Sequence, residues 1–313
     1  MAIKRVVSLL PSAAEIVSLI IGDSSSVKLV GRSHEDDFPE KITTLPILTA
    51  PKTKFTTSAE VDAQVSKLLS EGKDLYTLDI ELLKSLKPDV VVTQDLCNVC
   101  SIDLNTVRRV VKQMNPEPSV VTLNPMSIED VISSIKTVGI ALGMTSESSK
   151  VISGLRSRIK NARDLANRSN ESGRKPARVA FFEWTSPIYL GGHWTPQIIR
   201  WSNANKEVAE MGAPPSVRIS PQDVISEKPE ILIVCPCGLD LEATKREYEE
   251  TLLPSDWWSK LADNASKIAL VDGNQMFNRS GPRLVDALEW LVGYINDIPE
   301  IIPKNFPWQN LKS

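Results

Sequence analysis

Apolar residues fall along the chain in two alternating patterns. Short β-branched runs recur at Arg5 to Leu10, Val27 to Gly31, Asp89 to Thr93, Ser119 to Leu123, Arg178 to Glu183, Ile231 to Cys235 and Lys267 to Asp272. Runs that are apolar on both sides of the alternation are the mark of parallel strands covered on both faces. Between them lie stretches with helical spacing: Ser12 to Ile21, Ser58 to Ser70, Asp79 to Leu86, Asp103 to Met114, Ser127 to Leu142, Thr195 to Asn203, Pro221 to Glu227 and Pro282 to Ile295. Strands alternating with helices predict an α/β protein with mostly parallel, Rossmann-like sheets.

One helix differs from the rest. From Ser146 to Ala166, the residues Val151, Leu155, Ile159, Ala162 and Ala166 keep helical spacing, with only Gly154 as an interruption. The polar, turn-forming run from Asn167 to Pro176 ends it. The expected organisation is an α/β lobe over residues 1–142, a long connecting helix over 143–170 and a second α/β lobe over 171–313, with a ligand cleft between the lobes. An internal echo points the same way. Leu82 to Val92 and Asp223 to Ile233 each read as a short helix, a Lys-Pro-acidic turn and a buried strand.

Composition narrows the function. With 36 Lys and Arg against 39 Asp and Glu, the chain offers no broad basic field for nucleic acid or anionic lipid. No stretch approaches the roughly 20 apolar residues that span a bilayer, so membrane insertion is not expected. The short apolar run before Pro11 reads as a first strand rather than a secretory leader. A cytoplasmic protein is therefore expected, with its four cysteines as thiols. The local signatures of P-loop, dinucleotide, nucleophile-elbow and zinc-protease chemistry are missing, and no catalytic residue can be named. A non-enzyme with a small-molecule partner is the expectation.

Several residues can carry binding chemistry. Cys97 and Cys100 follow one strand, and Cys235 and Cys237 close its counterpart in the second lobe. Because α/β sheets bind ligands at the carboxyl ends of their strands, a four-thiolate metal or redox site at the cleft is an alternative reading. His34 and His193, the only histidines, lie in loops just after strands, one in each lobe. All seven tryptophans follow residue 180, and Trp184 and Trp194 in loops are candidates for a flat ligand wall, while Trp201 and Trp290 sit on helical faces that predict core. Ser12 and Glu15 have the spacing of a capping box.

Four segments resemble the class III substrate-binding proteins of ABC importers, the TroA-like superfamily, and within it cobalamin-binding-protein-like sequences: Val6 to Ile16, Leu29 to Glu35, Leu86 to Asp95 and Phe277 to Leu288. The resemblance implies two lobes joined by one long helix, with little hinge closure on ligand binding. It implies cleft contacts from Ser12, Arg32, His34, Gln94, Asp95, Trp184, Trp194, Phe277, Asn278 and Arg279, to which the reading of the loops adds His193. The implied ligand is a corrinoid such as cobalamin, or a related metal chelate, with no cofactor required and the transporter partner left open. Where this subgroup has His-Glu-Cys, the chain has His34-Glu35-Asp36.

Overall fold

The computed structural model describes residues 3–94, 104–204 and 216–312. Two sheets form its frame. The first has the order β2-β1-β5-β6, all parallel, from β1 (Lys4–Ser8), β2 (Val27–Gly31), β5 (Val90–Thr93) and β6 (Ser119–Thr122). The second has the order β11-β10-β9-β7-β8, from β7 (Val179–Thr185), β8 (Ile188–Leu190), β9 (Ile231–Val234), β10 (Lys267–Val271) and β11 (Trp308–Lys312). Here β7, β9 and β10 run parallel, while β8 and β11 are antiparallel edges. The expected α/β class with mostly parallel sheets is what the chain adopts.

The helices of the first half are α1 (Ala13–Ile21), α2 (Ser58–Ser70), α3 (Ile80–Ser85), α4 (Leu104–Val111) and α5 (Ile128–Leu142). Those of the second are α7 (Thr195–Trp201), α8 (Pro221–Ser226), α9 (Leu241–Glu247), α10 (Asp256–Asn264) and α11 (Leu284–Asn296). Between them runs α6 (Thr145–Glu171), the long helix foreseen from its apolar stripe. It buries Leu155, Ile159, Ala162 and Ala166 and packs against α5 on one side and α11 on the other. Arg158 of α6 ties it further to α11, its Nε donating to Glu289 at 2.9 Å.

The Lys-Pro echo is structural. Lys87 and Lys228 both take a left-handed backbone, at φ 44° and 49°. The acidic residue two positions on then plays one part in each sheet. The Asp89 N–H donates to the Arg5 carbonyl at 2.7 Å, and the Glu230 N–H donates to the Arg178 carbonyl at 2.8 Å. In return the two carboxylates accept from the backbone N–H of Arg5 and of Arg178. Each lobe thus enters its central parallel pair by the same device.

Apolar packing is continuous between the lobes. A single buried cluster joins Val6, Ile16, Val92, Ile135 and Ala162 to Phe181, Ile198, Phe277 and Trp290. Trp290 is fully buried, stacked between Phe306 at 5.1 Å and Tyr294 at 5.2 Å. The expected core role of Trp290 is met, whereas Trp201 is only half-buried, with the Arg163 guanidinium 4.5 Å above its ring. Between β2 and β5 the strands β3 (Thr49–Pro51) and β4 (Tyr76–Leu78) pair antiparallel and carry α2 as an arm. Sequence spacing marks α2 but not this arm, whose two strands have only three residues each.

The α5–α6 contact leaves no room for a methyl group. A Cβ on Gly139 would lie 2.2 Å from Ser148 Oγ and 2.3 Å from its Cβ. Gly139→Ala gains up to ~1 kcal/mol of helix propensity but must push the helices apart, which typically costs ~1–3 kcal/mol. A net loss of about 1–2 kcal/mol in urea unfolding is expected.

Candidate functional site

The carboxyl ends of β1, β5, β7 and β9 converge on one narrow cleft, where open α/β sheets place their ligands. Pro11 and Gln94 line it from the first lobe; Glu183, Gly192, His193, Trp194, Cys237, Phe277, Asn278, Arg279 and Ser280 line it from the second. The cleft is nearly shut. Its volume is about 90 Å³, room for a few waters, against roughly 300–1,000 Å³ for sites that enclose a drug-sized molecule.

Charge crosses the seam. Arg283 donates to Glu15 through both its backbone N–H, at 3.1 Å, and Nε, at 2.8 Å; the two side chains are 8% and 6% exposed. Arg279 donates to both oxygens of Asp37, at 2.5 and 3.1 Å, and to Asn274 Oδ1, whose own amide donates to Asp37. Burial opposes ionisation of Asp37, but Arg279 outweighs it and holds that carboxyl below the usual range. These contacts also replace the expected capping box. Ser12 sits in the left-handed region at φ 75° with no side-chain cap, its hydroxyl facing Ser280, and Glu15 turns to Arg283. Gly281 makes the approach possible, since a Cβ there would stand 2.7 Å from Ser12 Cβ.

A second closure lies at the arm. Ser58, at the start of α2, and Thr185, at the end of β7, both hydrogen-bond the buried Glu247 carboxylate, their hydroxyls 3.1 Å apart. Trp184 Nε1 donates to the Ser58 carbonyl at 3.2 Å, and Asp62 of α2 reaches Tyr189 of β8. Ser58 is the only buried residue of α2. Polar contacts rather than apolar packing therefore seat this helix on the second lobe.

Several expected contacts have other duties. Arg32 is buried, its guanidinium donating to the carbonyls of Ser33, Asp36 and Thr43, so it braces its own loop rather than facing the cleft. His34 is fixed to the arm, Nδ1 lying 2.7 Å from Thr49 Oγ1 and the ring 5.4 Å from Tyr76. Burial, with Arg279 and Arg32 nearby, pushes it down to about 4, so it is neutral near pH 7. Trp184 belongs to the arm contact, not to a cleft wall. Phe277, 1% exposed, packs edge-on against Trp290 and tilted against Phe181, while Trp194 is buried and donates Nε1 to the Phe277 carbonyl. Both reach the cleft only by an edge, because the core beneath competes for the same rings. Asn278 is spent on the carbonyls of Cys235 and Gly273. Gln94 and His193 do line the cleft. Asp95, Cys97 and Cys100 lie outside the described residues.

The remaining cysteines are poorly suited to thiolate chemistry. Burial, reinforced by Asp272, Cys237 and Glu183, raises the Cys235 thiol well above its ordinary value. Desolvation, then Glu183 and Glu35, pushes Cys237 up to about 12, although that residue exposes surface. A thiolate at either position would meet carboxylates, which Arg279 only partly offsets at Cys237, the reverse of what activates a thiol.

Sequence reasoning missed the acids that dominate this region. Glu183 is half-buried and raised by desolvation even though Gly192 N–H and Ser216 Oγ donate to it at 3.0 and 2.9 Å. Its place at the end of an apolar strand was the available signal. Glu35 is pushed up to about 7, by burial first, with Asp36 and Asp37 adding to the rise against Arg279.

Comparison with known proteins follows this geometry. A periplasmic heme-binding protein from Pseudomonas aeruginosa matches over 99% of this chain and 98% of its own, with a TM-score of 0.69 and 17% identity. The periplasmic vitamin B12 binding protein of Vibrio cholerae matches over 95% and 98%, at 0.59 and 18%. A possible iron-binding, periplasmic solute-binding protein from Staphylococcus epidermidis matches over 93% and 98%, at 0.64 and 19%. This is the class III periplasmic binding-protein fold. No family model and no curated protein matches the chain. The expectation of a cytoplasmic location is overturned, since the proteins that share the fold over nearly their whole length are periplasmic. The compartment argument for free thiols falls with it. What holds Cys235 and Cys237 neutral is desolvation.

Two predictions come from these contacts. For Glu35, folded pKa above unfolded means that the native state binds the extra proton, so its favourable contribution is full below about 4.5 and is lost as pH rises through about 7. Glu35→Gln should therefore gain stability over the wild type as pH rises from 5 to 8, by on the order of 1–2 kcal/mol, read by urea unfolding across that range. Ser58→Ala should loosen the arm alone. Amide exchange across residues 58–70 should quicken several-fold while exchange in β1 and β5 stays unchanged.

Proposed function

We propose that the chain is a non-enzymatic binding protein that takes a small molecule between its two lobes, and that the ligand is a corrinoid or a similar metal chelate such as heme. The observation that carries this reading is the convergence of both sheets' carboxyl ends on one interlobe cleft in a fold whose neighbours are named for heme and vitamin B12. Among the described residues the cleft lining holds no nucleophile hydrogen-bonded to a base, and its Glu183 carboxylate accepts from Gly192 and Ser216. The polar groups at the rim, Gln94, Glu183 and Arg279, suit the amides or carboxylates that surround such a chelate. His193, in the cleft lining, offers an imidazole.

At about 90 Å³ the cleft must widen before a chelate fits. Ligand binding therefore competes with the Arg279–Asp37 contact rather than with Arg283–Glu15, which lies deeper in the seam and is the more buried pair. Apparent affinity is reduced by the fraction of molecules that are open. Titration with cobalamin and with heme, followed by calorimetry and visible absorbance, tests both statements. We expect micromolar or tighter binding of one of them, and binding tightened several-fold in Asp37→Asn. The absence of heat and spectral change with both chelates at high micromolar concentration, in both proteins, would exclude the chelate reading and leave the fold untouched.

A further inference from the structure

A larger hollow lies where both lobes meet α6. Its volume is about 430 Å³, within the usual range for small-molecule sites. Ile128 and Ile132 come from α5, Trp201 from α7, and Arg156, Ile159, Lys160 and Arg163 from α6. Gln197 of α7 accepts from the Ile128 N–H at 2.9 Å and donates to Glu129 at 2.8 Å.

Its charges are unequally matched. The hollow has three cations against two carboxylates, an excess of one positive charge: Asp164 pairs with Lys160 at 2.5 Å, and Glu129 accepts from the neutral Gln197 amide. Arg156 and Arg163 make no ion pair among the described residues. Arg163 instead lies on the Trp201 ring, a stacking guanidinium that can also bind a carboxylate with its fork. Beneath are three isoleucine side chains, all buried. An apolar base, an indole and two guanidinium groups outside any ion pair, Arg163 acting on Asp164 only at longer range, fit a planar ring bearing a negative charge.

We propose that this hollow is a second binding site, for a small aromatic carboxylate, seated against Trp201 with its anion between Arg156 and Arg163. The site spans α5, α6 and α7, so its occupant touches both lobes and the helix that joins them. It is separate from the cleft reading and stands or falls without it.

The probe is 1-naphthoate, with neutral 1-naphthamide as its control, in calorimetric titrations. The wild type should bind naphthoate with a submillimolar Kd, and Arg156→Gln/Arg163→Gln should weaken it ~tenfold, as expected for lost hydrogen bonds to charged groups. Both arginines are exposed, so the double variant should fold as the wild type does, which its melting temperature checks. Naphthamide should bind at least tenfold more weakly than naphthoate, and the cleft variant Gln94→Ala should bind naphthoate unchanged. Undiminished binding by the double variant, equal binding of the amide, loss of binding in Gln94→Ala, or no binding at millimolar concentration would each overturn the proposal.

Discussion

A guanidinium and a carboxylate taken out of water must find each other, because a buried charge left alone costs about 3–5 kcal/mol. Arg283 and Glu15 meet that condition only across the seam, one from each lobe. Their pairing sets the distance between Ser12 and Gly281, the facing of Ser12 and Ser280, and the register at which Arg279 reaches Asp37. The shared apolar cluster and α6 hold the same spacing from behind. The narrowness of the cleft is thus a property of its electrostatics as much as of its packing.

The acids not drawn into that pairing give the cleft its character. Glu183 and Glu35 are half-buried and raised by desolvation, and Cys237 beside them is kept neutral. Such surroundings favour neutral, hydrogen-bonding ligand groups over bare anions on this wall, while Arg279 supplies positive charge at the other end.

Periodicity exposed most of the frame. The β-branched runs became strands, the stripe through Leu155, Ile159 and Ala162 became α6, and the Lys-Pro echo became a matched pair of strand entrances. The site was less legible because its decisive contacts are far apart in the chain: Arg279 and Asp37 are separated by 242 residues, and no local spacing records such a pairing. Aromatic residues misled for a related reason. A tryptophan in a loop after a strand has the same sequence signature whether it stands over a ligand or turns aside, as Trp184 does towards the arm; Trp194 and Phe277 line the cleft although both are buried. Arg32 and His34 lie in the loop after β2, where their own backbone and the arm engage their polar atoms.

The two sheets also differ in when they can be completed. The first sheet closes once Thr122 has been made, whereas the second needs β11, which ends at Lys312. In chain order the first lobe therefore has all its strands well before residue 283, so Glu15 has no partner for its carboxylate until the start of α11 is in place. Only the arrival of α11, with Arg283 just before its start and Trp290 within it, supplies that partner and turns two successive folding units into one body.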